Sequence, residues 1–340
     1  MPRRLPIVMA RAALFVLATG LALLVAELAV RRIAPLEELF PQWHWDAVPT
    51  DFEESYTTDG DLGYRPVLGA GEYSEFGTVV NEYPMTKREG VTRVLFLGDS
   101  VTHRWQMQKV LVERCRASQV EFWNAGVEGF NTGQEVEYYL RWNHRVAPDH
   151  VTLVFHNNDF VATPVAFRDR AGKLVVVNPH AYLSRTNVTL AGWSHLYRHY
   201  LKARISRMLE NDPITSAKET RAALDSLKSN LEDNGIGFNI ILVPVFKPLD
   251  EWTAYEARSR ALSLEIFEEL EIPFYDLIRP LKVAARKGLE LPESPGDVWH
   301  PSAQLAGRLA RHLIREGYLE SVLGPGGCEP GNSPPESGNR

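Results

Sequence analysis

Ser100 stands in Gly98-Asp99-Ser100, directly after the apolar run Val94-Leu95-Phe96-Leu97. A serine hydroxyl is a weak nucleophile and needs an adjacent base. His300 can take its proton, and Asp297, three residues earlier, can hold the imidazole in the right tautomer. The chemistry this set could do is acyl transfer, which also needs donors where charge develops on the substrate oxygen. Ser100 opens a predicted helix, whose first backbone N–H groups are free. Two further donors are available: the N–H of Gly129, in Asn124-Ala125-Gly126-Val127-Glu128-Gly129, and the side-chain amide of Asn158, in His156-Asn157-Asn158-Asp159. The candidate catalytic residues are Ser100, Asp297 and His300; the candidate oxyanion hole is Ser100, Gly129 and Asn158. Each stretch alone has a plainer reading: an N-capping serine, a loop needing positive φ, a turn, and an ion pair before a helix. Asp99 and Asp159 read as supports of their loops rather than as catalysts.

The elements around these residues form a pattern. Arg93–Leu97, Val120–Trp123, Val151–Phe155, Phe238–Val245 and Phe274–Tyr275 read as strands. Helices are expected over Val101–Ala117, Gly133–Arg145, Ile214–Asp233, Glu251–Leu270 and Pro301–Glu316. Strands alternating with helices imply a three-layer α/β/α fold, with a parallel five-stranded sheet of flavodoxin-like kind. In such sheets ligands bind beyond the carboxyl ends of the strands, and three of the four stretches sit there.

In this order the four stretches resemble the blocks of the SGNH hydrolases, the GDSL-like esterase and lipase superfamily. The first block is Gly98-Asp99-Ser100 within VLFLGDSVT, the second is NAGVEGFNT with Gly129 as its aligned glycine, the third is His156-Asn157-Asn158-Asp159, and the fifth is Asp297-x-x-His300. The resemblance spans roughly residues 91–318 and implies a Ser-His-Asp esterase. The stretch DGDLGYRPVLG further resembles membrane-anchored bacterial members. Two features depart from the pattern. His156 replaces the third block's usual glycine, and its side chain could crowd the oxyanion hole or point away. Residues 160–213 form a long insertion. Gly-x-Ser-x-Gly fails after Ser100, so the α/β-hydrolase elbow is absent.

The N-terminus adds a membrane reading. Ala12–Ala26 holds no charged or amide side chain, with Arg3, Arg4 and Arg11 before it and Arg31 and Arg32 after. Such a run suits a signal anchor, a cleaved signal peptide or a buried core helix. We favour an uncleaved signal anchor with the catalytic body outside the cytoplasm. The expected organisation is an anchor over 1–34, a membrane-proximal subdomain over 35–90, the catalytic domain over 91–318 and a disordered tail over 319–340.

The chain has 340 residues, 44% hydrophobic and 24% charged, with net charge −6. It is therefore globular rather than fibrous or disordered, and carries no overall basic surface for nucleic acid. No cofactor or metal is implied: His195 and His199 could share a helix face, but no third ligand accompanies them. Trp193, Tyr197 and Tyr200 could stack on a sugar or pack in a core. Asn187-Val188-Thr189 is a glycosylation sequon, and a Cys115–Cys328 disulfide is not expected, since one cysteine lies in a helix and the other in the tail. The partners implied are an acylated small-molecule, glycan or lipid substrate, and the membrane. Three functions fit: a membrane-anchored esterase or deacylase, an O-acyltransferase with the same nucleophile, and a non-catalytic binding protein, against which the complete Ser100, Asp297 and His300 set argues.

Overall fold

The computed structural model describes residues 4–33, 55–115, 119–161, 163–168, 174–177, 190, 193–197, 199–200, 217–326 and 328. The first part of the expected membrane-proximal subdomain, the sequon, most of the insertion and the last residues of the tail lie outside them. The apolar run forms α1 (Arg4–Ile33), and β1 (Tyr56–Asp59) and β2 (Gly63–Pro66) form a hairpin. Asp59 closes its turn, its carboxylate accepting the N–H groups of Asp61 and Leu62 at 3.0 and 3.1 Å. Next come β3 (Thr92–Gly98), α2 (Ser100–His103), α3 (Gln108–Arg114), β4 (Val120–Gly126), α4 (Thr132–Arg141) and β5 (His150–Phe155). An antiparallel pair, β6 (Val165–Arg168) and β7 (Leu174–Val177), lies within the insertion. Then follow α5 (Ala217–Asp233), β8 (Gly237–Leu242), α6 (Ala254–Glu269), β9 (Phe274–Asp276), α7 (Ile278–Arg286), α8 (Ala303–Arg315) and α9 (Tyr318–Leu323).

The central sheet is parallel throughout, in the order β4-β3-β5-β8-β9. Side chains alternate along a strand, so β3 serves both faces. Val94 and Phe96 join Leu111, Leu281, Leu305 and Leu309 on one side. Leu95 and Leu97 join Leu224, Leu227, Leu231 and Ile266 on the other. Leu305, Leu309 and Leu313 recur every four residues on α8, the spacing of one helix face. Each such leucine contributes about 1.5–3 kcal/mol by leaving water. The result is the expected three-layer fold. The order reverses between β3, which pairs outward with β4, and β5, which pairs on its other edge, so a crevice opens at the carboxyl ends of β3 and β5.

A third apolar cluster joins the β1–β2 region to the sheet's site end. Tyr56, Leu62, Tyr64 and Tyr73 pack with Val127, Phe130 and Tyr138. The Gln134 side chain also donates to the Leu62 carbonyl at 2.7 Å. α1 contains a stretch, Met9–Ile33, long and apolar enough to cross a membrane, and its most apolar window has no buried residue. It is therefore not a core helix. Glu27, inside that stretch, accepts from the Ser194 hydroxyl (2.7 Å) and from the N–H groups of His195 (2.9 Å) and Leu196 (3.0 Å), and Arg31 pairs with it at 2.7 Å.

Four local expectations change. The helix expected over Val101–Ala117 is broken at Trp105, whose φ of 58° no helix tolerates. Its indole stands edge-on to the buried Phe96 ring, with centroids 5.4 Å apart. α7 occupies a stretch to which no element was assigned, and Pro280 falls in its first turn, where the missing N–H is not needed. α9 occupies the start of the expected tail because Leu319 and Val322 bury against the core. Finally, Cys115 and Cys328 are joined by a disulfide, contrary to expectation, with Cα atoms 4.7 Å apart. The short α9 packs beside α8, and Cys328 follows it to meet Cys115 at the end of α3.

This bond spans 213 residues of chain. Cross-links that close long segments are worth about 2–4 kcal/mol, largely by restricting the unfolded chain. Reductant should lower the thermal midpoint of the native protein to that of Cys328→Ser and leave Cys328→Ser unmoved. Equal midpoints for native protein and Cys328→Ser without reductant would refute the bond's contribution.

Candidate active site

β3 ends at Gly98, whose φ of 151° suits glycine, and a Cβ there would lie 2.2 Å from the Thr102 hydroxyl. This close approach lets the chain turn from strand to helix in one residue. Asp99 then caps α2, its carboxylate accepting the Val101 N–H at 2.8 Å. Asp99 is thus the loop support that the sequence suggested, and Ser100 is left as the first residue of α2 at the sheet's carboxyl edge.

His300 reaches Ser100 from the loop before α8. Three backbone bonds fix that loop: Phe246 N–H to Val298 O (2.9 Å), Glu293 N–H to His300 O (2.9 Å) and Ser302 N–H to Leu291 O (2.8 Å). Asp297 holds the turn itself, accepting the Trp299 and His300 N–H groups at 3.1 and 3.2 Å. Its other oxygen lies 2.8 Å from His300 Nδ1, and His300 Nε2 lies 2.8 Å from Ser100 Oγ. A carboxylate can only accept, so Nδ1 carries the ring proton and bare Nε2 accepts from the serine hydroxyl. Burial works to raise the Asp297 carboxyl, but the bonds from His300 and the two N–H groups outweigh it and hold the group below its usual range. The carboxylate therefore stays charged and can stabilise an imidazolium.

A second layer surrounds this line. Arg104 pairs with Glu293 and lies 4.0 Å from Asp297, and the Gln106 amide donates to Glu293 at 2.8 Å. Glu293, Asp297 and His300 have ligand atoms within 4.8 Å of one another, a spacing that could hold a metal. Yet every one of these groups is engaged: the imidazole lies between Ser100 and Asp297, and Glu293 is held by Arg104 and Gln106. They form a hydrogen-bonded network rather than an open coordination shell. Nothing in the sequence signalled these residues beyond the closeness of Arg104 to Ser100 and of Glu293 to Asp297.

The remaining predicted residues lie at neighbouring strand ends. Gly129, with φ 72°, sits exposed in the loop after β4, which Val127 ties to β3 by donating its N–H to Gly98 O at 3.0 Å. Asn158 is in a 3-10 turn, Asn157–Phe160, just beyond β5; its side chain lies outside the described residues. Asp159 supports that turn by accepting the His156 N–H and the Thr132 hydroxyl, the latter at 3.0 Å. The His156 ring is fully buried against Trp299 and Phe246, with centroids 5.4 and 6.3 Å away. It serves as packing for the wall that carries His300.

No protein-family model and no curated protein matches the chain. Among solved structures, it is similar to LAE5, an α/β hydrolase enzyme from the metagenome of Lake Arreo, Spain, at 15% identity over 68% of this chain and 94% of that one (TM-score 0.44). It is also similar to Axe2, an acetylxylan esterase from Geobacillus stearothermophilus, at 17% identity over 68% and 96% (TM-score 0.42). A GDSL-like lipase candidate from Parabacteroides merdae is similar at 14% identity over 68% and 95% (TM-score 0.41). The parallel five-stranded sheet is the one expected from the sequence.

Behind the site, α4 buries Glu135, and neither of its carboxylate oxygens has a partner. Burial pushes this carboxyl well above its usual range, and the charges of Asp159 and Asp99 push the same way. A buried acid raised above its unfolded value near 4.5 keeps a proton that the unfolded chain releases. Stability from this group therefore falls as pH rises past that value. Glu135→Gln retains the neutral form, so its thermal midpoint should exceed that of the native protein by a margin that grows from pH 5 to pH 8. A margin that shrinks over that interval would contradict a neutral Glu135.

Proposed function

We propose that this protein is a membrane-anchored serine esterase that cleaves a carboxylic ester, with O-acetyl groups on a glycan as the substrate class. One observation carries the reading: the unbroken line of hydrogen bonds from Ser100 through His300 to Asp297. In the first step Ser100 Oγ bonds to the ester carbonyl carbon as its proton passes to His300 Nε2. The carbonyl π pair moves onto oxygen, where the N–H groups of Ser100 and Gly129 and the Asn158 amide receive it. The oxyanion collapses, the alcohol leaves with the proton from His300, and an acyl-serine remains. Water then repeats the sequence, giving the carboxylic acid and free Ser100. Asp297 keeps the imidazole in the working tautomer and stabilises its cation without taking the proton.

Three features support placement at the outer face of a membrane. α1 is long and apolar enough to span it. Trp193 and Tyr200 are exposed on the short segment that Glu27 holds beside α1, and such aromatics favour the membrane–water boundary. The Cys115–Cys328 bond belongs with an oxidising compartment.

A fluorophosphonate probe should label Ser100 in native protein and not in denatured protein. His300→Ala should abolish labelling almost as fully as Ser100→Ala, because members of such a unit are not additive, while Asp297→Ala should do less damage. Asn158→Ala should slow turnover of a short activated ester by about 10²–10³-fold, the usual effect of losing one oxyanion donor. If folded native protein takes up no probe, the binding-protein reading replaces this one. If a glycan acceptor diverts the acyl group from water, the enzyme is an O-acyltransferase.

A further inference from the structure

Tyr64 lies on β2, outside the sheet that carries Ser100, yet its phenol reaches the loop after β4. The hydroxyl donates to the carbonyl oxygen of Glu128 at 2.7 Å, across 64 residues of chain. That carbonyl belongs to the same peptide unit as the Gly129 N–H. A trans peptide is planar, with its C=O and N–H pointing in opposite directions. Fixing the Glu128 oxygen on Tyr64 therefore aims the Gly129 N–H away from Tyr64.

The loop needs such a tie. Gly129 has φ 72° and is exposed, so it is free to rotate its preceding peptide. The phenol, by contrast, is held rigidly. Tyr64 is fully buried, and its ring stands edge-on to Phe130 and Tyr56 with centroids 5.4 and 5.8 Å away. Burial raises the phenol well above its ordinary pKa, so it remains a donor throughout the pH range of ester hydrolysis. A bond accepted by a peptide carbonyl also polarises that peptide and strengthens its N–H as a donor. A Cβ on Gly129 would lie 2.9 Å from the Tyr64 oxygen, so side chains larger than glycine would push the two apart.

We propose that Tyr64 is a positioning residue for the oxyanion hole: its hydroxyl sets and polarises the Glu128–Gly129 peptide so that the Gly129 N–H meets the developing oxyanion. The inference rests on the esterase reading, in which Gly129 is one of three donors. It makes the β1–β2 region part of the catalytic machinery rather than a spacer between anchor and enzyme. Tyr64 acts through the peptide and does not touch substrate.

The test compares Tyr64→Phe with Tyr73→Phe in the full chain, using a short activated ester. Tyr73 offers a matched control. It is equally buried in the same cluster, and its hydroxyl donates to the Gly126 carbonyl at 3.2 Å, two peptide units before the one that carries the Gly129 N–H. Tyr64→Phe loses the bond to the Glu128 carbonyl and Tyr73→Phe loses two, to Gly126 and Tyr56, so Tyr73→Phe should lose at least as much thermal stability. Tyr64→Phe should lower kcat by roughly tenfold, less than the 10²–10³-fold expected for deleting a donor outright, with KM unchanged. Its phosphonylation rate at Ser100 should fall by the same factor, because the phosphonate oxygen occupies the same hole. Tyr73→Phe should keep native kcat. The proposal is overturned if folded Tyr64→Phe keeps native kcat, or if both variants lose activity equally, since that would mark a packing effect. Native protein that neither turns over ester nor takes up the probe would instead overturn the esterase reading itself, and the role of Gly129 with it.

Discussion

The hydrogen bond between Ser100 and His300, 2.8 Å long, joins points 200 residues apart in the chain. Neither group is useful alone: the hydroxyl is nearly inert without a base, and an imidazole without a fixed tautomer is an indifferent base. The pair can form only if β3, the loop before α8 and everything between them fold together. The fold meets this demand with rigid parts on both sides. Ser100 is set by a tight strand-to-helix turn that needs Gly98, and by the Asp99 cap. His300 is set by a turn closed on Asp297 and pinned to the end of β8 through Phe246. Asp297 has two tasks with one carboxylate, holding the backbone of the turn and holding the ring, so tautomer and ring position are fixed together.

The surroundings extend the same logic. Polar groups buried near the site are engaged with loop backbone: Asp159 with the turn after β5, and Tyr64 with the loop after β4. Among the described residues Glu135 is an exception, a buried acid with neither oxygen partnered, whose carboxyl burial pushes well above its usual range. Such local expense beside a reactive centre is a common feature of working sites. The N-terminal helix follows a parallel pattern. The carboxylate of Glu27 follows the uncharged run of α1, where it is satisfied by Arg31 and by donors from the segment at 194–196 rather than left bare.

Much of this was legible in the sequence because the strand runs are short, apolar and punctuated by polar or glycine-rich ends. β3, β4 and β5 fall where Arg93–Leu97, Val120–Trp123 and Val151–Phe155 were expected, each extending by one to three residues. The Asp297–His300 pair is visible because its spacing is local. What was not legible depends on contacts between distant residues. The helix break at Trp105 follows from packing on Phe96, which no local pattern encodes. The Cys115–Cys328 bond depends on α9 packing beside α8, and α9 forms only because Leu319 and Val322 find a buried surface. Tyr64 was equally hidden: a tyrosine in a loop-rich stretch gives no hint that its partner is the Glu128 carbonyl.

An esterase of this kind must carry the acyl group on Ser100. The most direct measurement is to mix native protein with p-nitrophenyl acetate, quench in acid within the first turnover, and map the added acetyl mass by peptide mass spectrometry. One acetyl group is expected on the peptide containing Ser100, released by water over time, and none in His300→Ala at the same quench. Rapid ester hydrolysis with no acyl group on Ser100, or with the acetyl on another residue, would contradict Ser100 as the nucleophile.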